Sequence, residues 1–203
     1  MSPSQILRKS LVLVMGFTFA GLITACGVQE IPQAENGVDA ASAEVTNQYK
    51  RRADLVPNLV NVVKGYATHE KETLEGVTEA RAKATSITID PSKATPEQVA
   101  KYQEAQGQLS QALGRLMVVA EKYPDLKANE NFKDLQVQLE STENRITVAR
   151  QRLIEAIKKF NDLVTVPPTS WTNSVFYHKE KTAQWDVAPA EKAKVEAAPE
   201  VKF

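Results

Sequence analysis

Cysteine, histidine and glycine are all scarce in this chain of 203 residues, and each scarcity removes a class of chemistry. One cysteine, Cys26, cannot close an internal disulfide. Two histidines, His69 and His178, are too few to build a His-based metal centre. His69 stands in "HEKET" without the second histidine one turn later that a zinc-protease helix uses to grip its metal from one face. The 8 glycines are scattered, and none forms a phosphate loop or a dinucleotide fingerprint. A serine triad would have to recruit one of the same two histidines, with no nucleophile elbow in view. Charge of one sign is also lacking: 25 basic residues face 25 acidic ones, so nothing draws the chain electrostatically onto nucleic acid. The sequence therefore leads us to expect no metal, no cofactor and no nucleic acid, and it gives catalysis weak support.

Aromatic residues are few as well, at 6%, while Ala, Glu, Gln, Lys and Leu abound, a mixture that favours long helices over sheets. The length suits one domain with appendages. Apart from one stretch, long apolar runs are missing. That stretch, Leu11 to Ala25, follows Arg8 and Lys9 and ends in small residues, so residues 1–25 read as a signal peptide. At about 15 residues it falls short of the roughly 20 that a membrane-spanning helix needs. Ile23, Thr24, Ala25 and Cys26 resemble the bacterial lipobox, where a cysteine is acylated and becomes the first residue of the mature protein. Cys26 is then a lipidation site; the plainer alternatives are an uncleaved anchor or a cysteine placed there by composition alone. Acylation with two or three chains gives durable anchoring. Residues 26–37, with Pro32, Asn36 and Gly37, read as the lipidated cysteine and a short tether.

From Val38 to 165 three periodic segments predict an all-α fold, an antiparallel bundle of three to four long helices. In the first, Val45, Tyr49, Ala53, Val56, Val60, Val63, Leu74 and Val77 lie on one stripe. Pro57 within it predicts a kink, or else the start of a new helix. Taken as one helix, residues 38–86 would span roughly 70 Å, longer than their partners, and "KGYATHE" at 64–70 is the expected break. In the second, Thr95, Pro96 and Gln98 make a full capping signal ahead of Val99, Tyr102, Leu109, Leu113 and Leu116, with Pro124 as the stop. In the third, Phe132, Leu135, Leu139, Thr142, Ile146, Ala149, Leu153, Ala156, Phe160 and Leu163 alternate spacings of three and four, as in a coiled-coil seam.

The stretches "NQYKRRADLVPNLVNVVKGYATHEKETLEGVTEARAKAT" (47–85) and "NENFKDLQVQLESTENRITVARQRL" (129–153) resemble the LemA family of bacterial envelope proteins, over about residues 38–165. The resemblance implies a helical bundle held at the membrane by its N-terminus, and no known catalytic activity. The lipobox stands where many members have an ordinary transmembrane anchor, and "TVPPTSWTNS" departs from the usual connection into the tail.

Candidate contact residues fall in two groups. Arg51, Arg52 and Asp54 precede Pro57, and Glu140, Glu143 and Arg145 occupy the middle of the third segment. Arg52 falls close to the apolar stripe, so its guanidinium can pass between helices and meet a carboxylate. Such a network either locks the register of the bundle, the reading we favour, or binds a charged segment of another protein. The second group lies in the extended tail, 166–203, where Trp171, Phe176, Trp185 and Phe203 are candidate partner contacts. Val201, Phe203 and a free carboxylate would suit a PDZ-type groove.

These readings lead to a non-catalytic interaction or scaffold module, lipid-anchored at a bacterial membrane and facing the extracytoplasmic side, with an envelope protein as partner. Gly27, where an aspartate would retain many lipoproteins at the inner membrane, favours the outer membrane in a cell with two. The competing classes are an enzyme with an unrecognised polar pocket in the bundle and a purely structural spacer.

Overall fold

The computed structural model describes residues 3–90 and 93–185, with side chains from Val28 onward. Every regular element among them is helical. They are α1 (Pro3–Tyr66), α2 (Lys71–Ser86), α3 (Pro96–Ala120), α4 (Pro124–Ala128), α5 (Glu130–Thr165) and α6 (Thr169–Thr172), the last continuing into a π-helical turn, Asn173–Tyr177. Among the described residues no helix is long and apolar enough to cross a membrane.

Cross-helix hydrogen bonds fix the directions. The Asn129 amide donates to the Tyr66 hydroxyl at 2.9 Å, and Arg52 meets Glu143 further along, so α1 and α5 run antiparallel. The Arg81 guanidinium reaches the Ala53 carbonyl, which folds α2 back along α1, and Gln106 reaches the Ala84 carbonyl, which turns α3 against α2. The turn between α1 and α2 lies at Ala67–Glu70, within the stretch where the sequence predicts a break. α1 runs through Pro57 without ending, so no new helix starts there. At the head of α3 the capping box forms in full: the Gln98 amide N–H donates to the Thr95 hydroxyl at 3.3 Å and the Thr95 N–H to the Gln98 side chain at 2.9 Å. Asn129 caps α5 through its side chain alone, accepting from Phe132 N–H at 3.0 Å.

Three expectations need correction. The tether does not hang free: residues 28–37 continue α1, and Ile31 and Ala34 are buried. Pro32 costs one helical hydrogen bond there, and the joint burial of Ile31, Ala34 and Val38 offsets it. The α5 seam is not a pure heptad. Thr142, Leu153 and Val164 are buried at spacings of eleven, and towards the C-terminal end the buried positions are Ile157 and Val164, with Ala156 and Leu163 only partly buried. A straight helix of 3.6 residues per turn drifts off a seven-residue repeat, and an eleven-residue one follows it without left-handed supercoiling. Lastly, the first part of the tail is packed: Trp185 is 1% exposed.

Two apolar cores result. The distal one, around Val56, Leu59, Val63, Leu109, Leu113, Leu116 and Leu139, is enclosed by α1, α2, α3 and α5 and closed at its end by Leu126 of α4. The proximal one, around Ile31, Val38, Val45, Tyr49, Ile146, Leu153, Ile157 and Phe160, lies beyond the end of α2. There the fourth side is closed by Ile87, Ile89 and Ala94 of the α2–α3 connection and by Trp185. Asn161 pins the returning chain, donating to the Thr182 carbonyl at 3.0 Å and accepting from the Thr182 N–H at 2.9 Å. The tryptophan thus fills the space that a longer α2 would occupy.

Candidate functional site

Between the two cores the apolar stripes of α1, α3 and α5 are each interrupted by a polar side chain: Arg52, Gln106 and Glu143. The helical period places Arg52 beside the stripe residues Tyr49, Ala53 and Val56, so its stem is packed while its head points between α3 and α5. It is 1% exposed. One terminal nitrogen donates to the Ser110 hydroxyl at 2.6 Å and to Glu143 Oε1 at 2.8 Å; the other donates to the Gln106 carbonyl at 3.1 Å and to Gln106 Oε1 at 2.6 Å. The Gln106 amide passes the connection on to the Ala84 carbonyl, so one guanidinium ties together α1, α2, α3 and α5. Its planar fork makes this possible where a lysine could not. The Tyr49 ring stacks below it, 5.1 Å from the guanidinium carbon, adding a cation–π contact in a desolvated setting.

Tyr49 also begins an aromatic chain. Its ring meets Tyr102 edge-on at 5.6 Å, and Tyr102 meets Trp185 at 6.0 Å. Burial first, and then the neighbouring Tyr49, push the Tyr102 phenol up to about 12, with Arg52 pulling weakly the other way. The layer is not fully saturated: Arg52 Nε, Gln48 Oε1, Gln103 Nε2 and Trp185 Nε1 have no hydrogen-bond partner among the described residues.

The structure brings Arg52 and Glu143 together and leaves their sequence companions outside. Arg51, Asp54, Glu140 and Arg145 are exposed, and Glu140 accepts a hydrogen bond from Gln136 one turn away on its own helix. Gln106 and Ser110 are absent from the sequence-derived set. A signal for Gln106 existed, since it falls between Tyr102 and Leu109 on the apolar stripe of α3, where a polar residue needs a partner. Of the tail candidates, Trp171 and Phe176 are exposed, Trp185 belongs to the core, and Phe203 lies outside the described residues, as does the side chain of Cys26. Among the described residues no group of His, Cys, Asp and Glu could hold a metal ion.

One surface feature adjoins this layer. Val137, Ser141, Asn144 and Val148 follow one another along α5 at helical spacing and line a shallow groove with Glu44, Glu140, Arg145 and Arg152 on its rims. Val137 and Val148 are large apolar side chains left exposed in it.

Comparison with known proteins gives the chain a family. The family model described as the LemA family matches residues 41–203, so its pattern includes the tail as well as the bundle. A curated relative, Protein LemA of Metamycoplasma hominis, is 27% identical over 146 residues, which are 72% of this chain and 62% of the relative. This chain thus spans less than two thirds of that relative's length.

Proposed function

Since the chain belongs to the LemA family, we propose that it is a non-catalytic scaffold of the bacterial envelope, a rigid bundle lipid-anchored through Cys26 that presents the outer face of α5 to another protein. The observation that carries this reading is the use made of Arg52. Both terminal nitrogens of the one fully buried cation in the described bundle join helices, with its charge met by Glu143 and those donors by Ser110 and Gln106. Such a buried, hydrogen-bonded layer favours one register over others, as isolated polar positions do in coiled coils. A stiff body suits a part that spaces or presents. The groove of Val137 to Val148 offers a contact patch in which two exposed valines flank polar Ser141 and Asn144 with charged residues beside them, and its Glu140 and Arg145 suit a charged segment on the partner.

Affinity purification of the full chain with its lipid anchor intact tests this reading. A protein recovered in fixed stoichiometry, and lost when Val137 and Val148 are both changed to lysine, is expected. A co-purifying metal or small molecule with no protein partner would favour the enzyme reading instead.

A further inference from the structure

Three apolar side chains at the opposite end from the α1–α2 turn stand out in the surface: Trp171, Val175 and Phe176, each about two thirds exposed. They lie at positions i, i+4 and i+5 of the continuous helical stretch formed by α6 and the π-helical turn. That stretch is firmly built. Buried Asn173 donates to the Val164 and Lys179 carbonyls at 3.3 and 2.9 Å and accepts from the Lys179 N–H at 2.9 Å. His178 closes the turn in the left-handed region at φ 52°, held by a bond from its N–H to the Asn173 carbonyl at 2.7 Å. A buried asparagine, a π turn and a left-handed residue are together invested in holding apolar side chains outward, the reverse of what core packing asks.

The place of the turn supplies its purpose. The Tyr177 hydroxyl donates to the Val28 carbonyl at 2.5 Å, and Lys179 pairs with Glu35 at 2.7 Å, so the stretch is fastened to α1 at Val28. Val28 comes two residues after Cys26 and three after the end of the apolar run Leu11 to Ala25. At 1.5 Å per residue that is about 5 Å along the helix, the depth of a headgroup layer rather than the length of a domain.

We propose that Trp171, Val175 and Phe176 form a wedge that dips into the lipid headgroup–acyl boundary beside the anchor, so that the bundle touches the membrane at two points. Tryptophan and phenylalanine are suited to this zone, where an apolar ring is buried while the polar edge of an indole stays hydrated. Two contacts would hold the long axis of the bundle at a fixed attitude to the bilayer, where one lipidated point alone would let it swing. The inference rests on the anchoring proposed above, but it holds equally for an acylated Cys26 and for a retained apolar segment, because both put Val28 at the membrane surface.

The test uses the full chain reconstituted in vesicles of phosphatidylcholine and phosphatidylglycerol, with and without bromine on the acyl chains. The chain has two tryptophans, one buried and one exposed, so its fluorescence divides cleanly. Brominated lipid should quench part of the emission, and Trp171→Phe, a surface change that leaves the core intact, should abolish that quenchable part. As a control, Tyr66→Trp in the Trp171→Phe background puts an indole at the far end of α1, about 57 Å from Val28, and should not be quenched. Flotation of the same samples reads the anchor separately. A chain that floats without a quenchable Trp171 component overturns the wedge and leaves the anchor standing. A chain that neither floats nor is quenched overturns both. Quenching that persists in Trp171→Phe also refutes the wedge, since it would come from elsewhere.

Discussion

Replacing Arg52 with methionine keeps most of the stem volume and removes the guanidinium, and the cost can be worked from what is left behind. Ser110 is half-buried and can turn to another acceptor, and the Glu143 side chain is 40% exposed, so its carboxylate can recover water. Gln106 is the group that suffers, because its Oε1 is buried and would lose its partner while its amide stays tied to the Ala84 carbonyl. A stranded buried acceptor costs about 1–3 kcal/mol, an ion pair with one exposed partner adds less than about 1, and relief from desolvating the cation offsets part of both. We expect Arg52→Met to destabilise the fold by about 2 kcal/mol. Glu143→Ala should cost more, about 3 kcal/mol, because it strands a cation that is 1% exposed, whereas Arg52→Met strands a neutral amide oxygen and a carboxylate that water can reach. Removing Arg52 together with Gln106 and Glu143, in Arg52→Met/Gln106→Leu/Glu143→Ala, should restore most of the loss. Urea unfolding of the full chain in detergent, followed by circular dichroism, gives these values from the midpoint at constant m. The reverse order of the two single variants, or an Arg52→Met protein as stable as the parent, would refute the reasoning.

Further outcomes follow from other parts of the molecule. Trp185→Ala should cost about 3–5 kcal/mol in the same assay, since it opens the side of the proximal core that no helix covers, and a change below about 1 would show that the returning chain packs elsewhere. Ile146→Asp should cost several kcal/mol, because an unpartnered carboxylate would enter the seam at a position 4% exposed; a melting curve within error of the parent would place the seam wrongly. Tyr102 sets a pH dependence. Its folded value of about 12 stands above the unfolded value of 10, so its contribution is complete below pH 10 and is lost as pH rises towards 12. Tyr102→Phe should therefore flatten the alkaline fall in stability, and an unchanged slope would remove Tyr102 as the cause. Cys26→Ser should abolish labelling by a fatty-acid analogue in cells, and retained labelling would contradict acylation at this residue.

What the sequence could and could not tell follows from the range of the interactions involved. The Thr95–Gln98 box, the break after Tyr66 and the Phe132 to Phe160 stripe are local patterns, set by neighbours within one or two turns, and they are legible without a fold. The stripe Ile31, Ala34, Val38 was equally legible, but Pro32 and Gly37 within it read as punctuation, although the buried stripe carries the helix through them. Trp185 was a matter of long range. Its packing depends on α2 ending before the proximal core, so that removal of residues 169–203, which the sequence presents as an extended tail, should unseat that core. Arg52 was legible from its place beside the apolar stripe, between Tyr49 and Val56, which sets it apart from Arg51 and Asp54; its partner was not, because the angle at which α1, α3 and α5 meet decides that Glu143 and not Glu140 faces the guanidinium.

The scaffold reading stands most directly on the outer face of α5, and site-specific photocross-linking in living cells measures that face. A photoreactive amino acid at Val148 in the full-length anchored protein should give one discrete adduct with another envelope protein, and the same group at Lys71, on α2, should give none. No adduct from Val148, or the same adducts from both positions, would contradict the account.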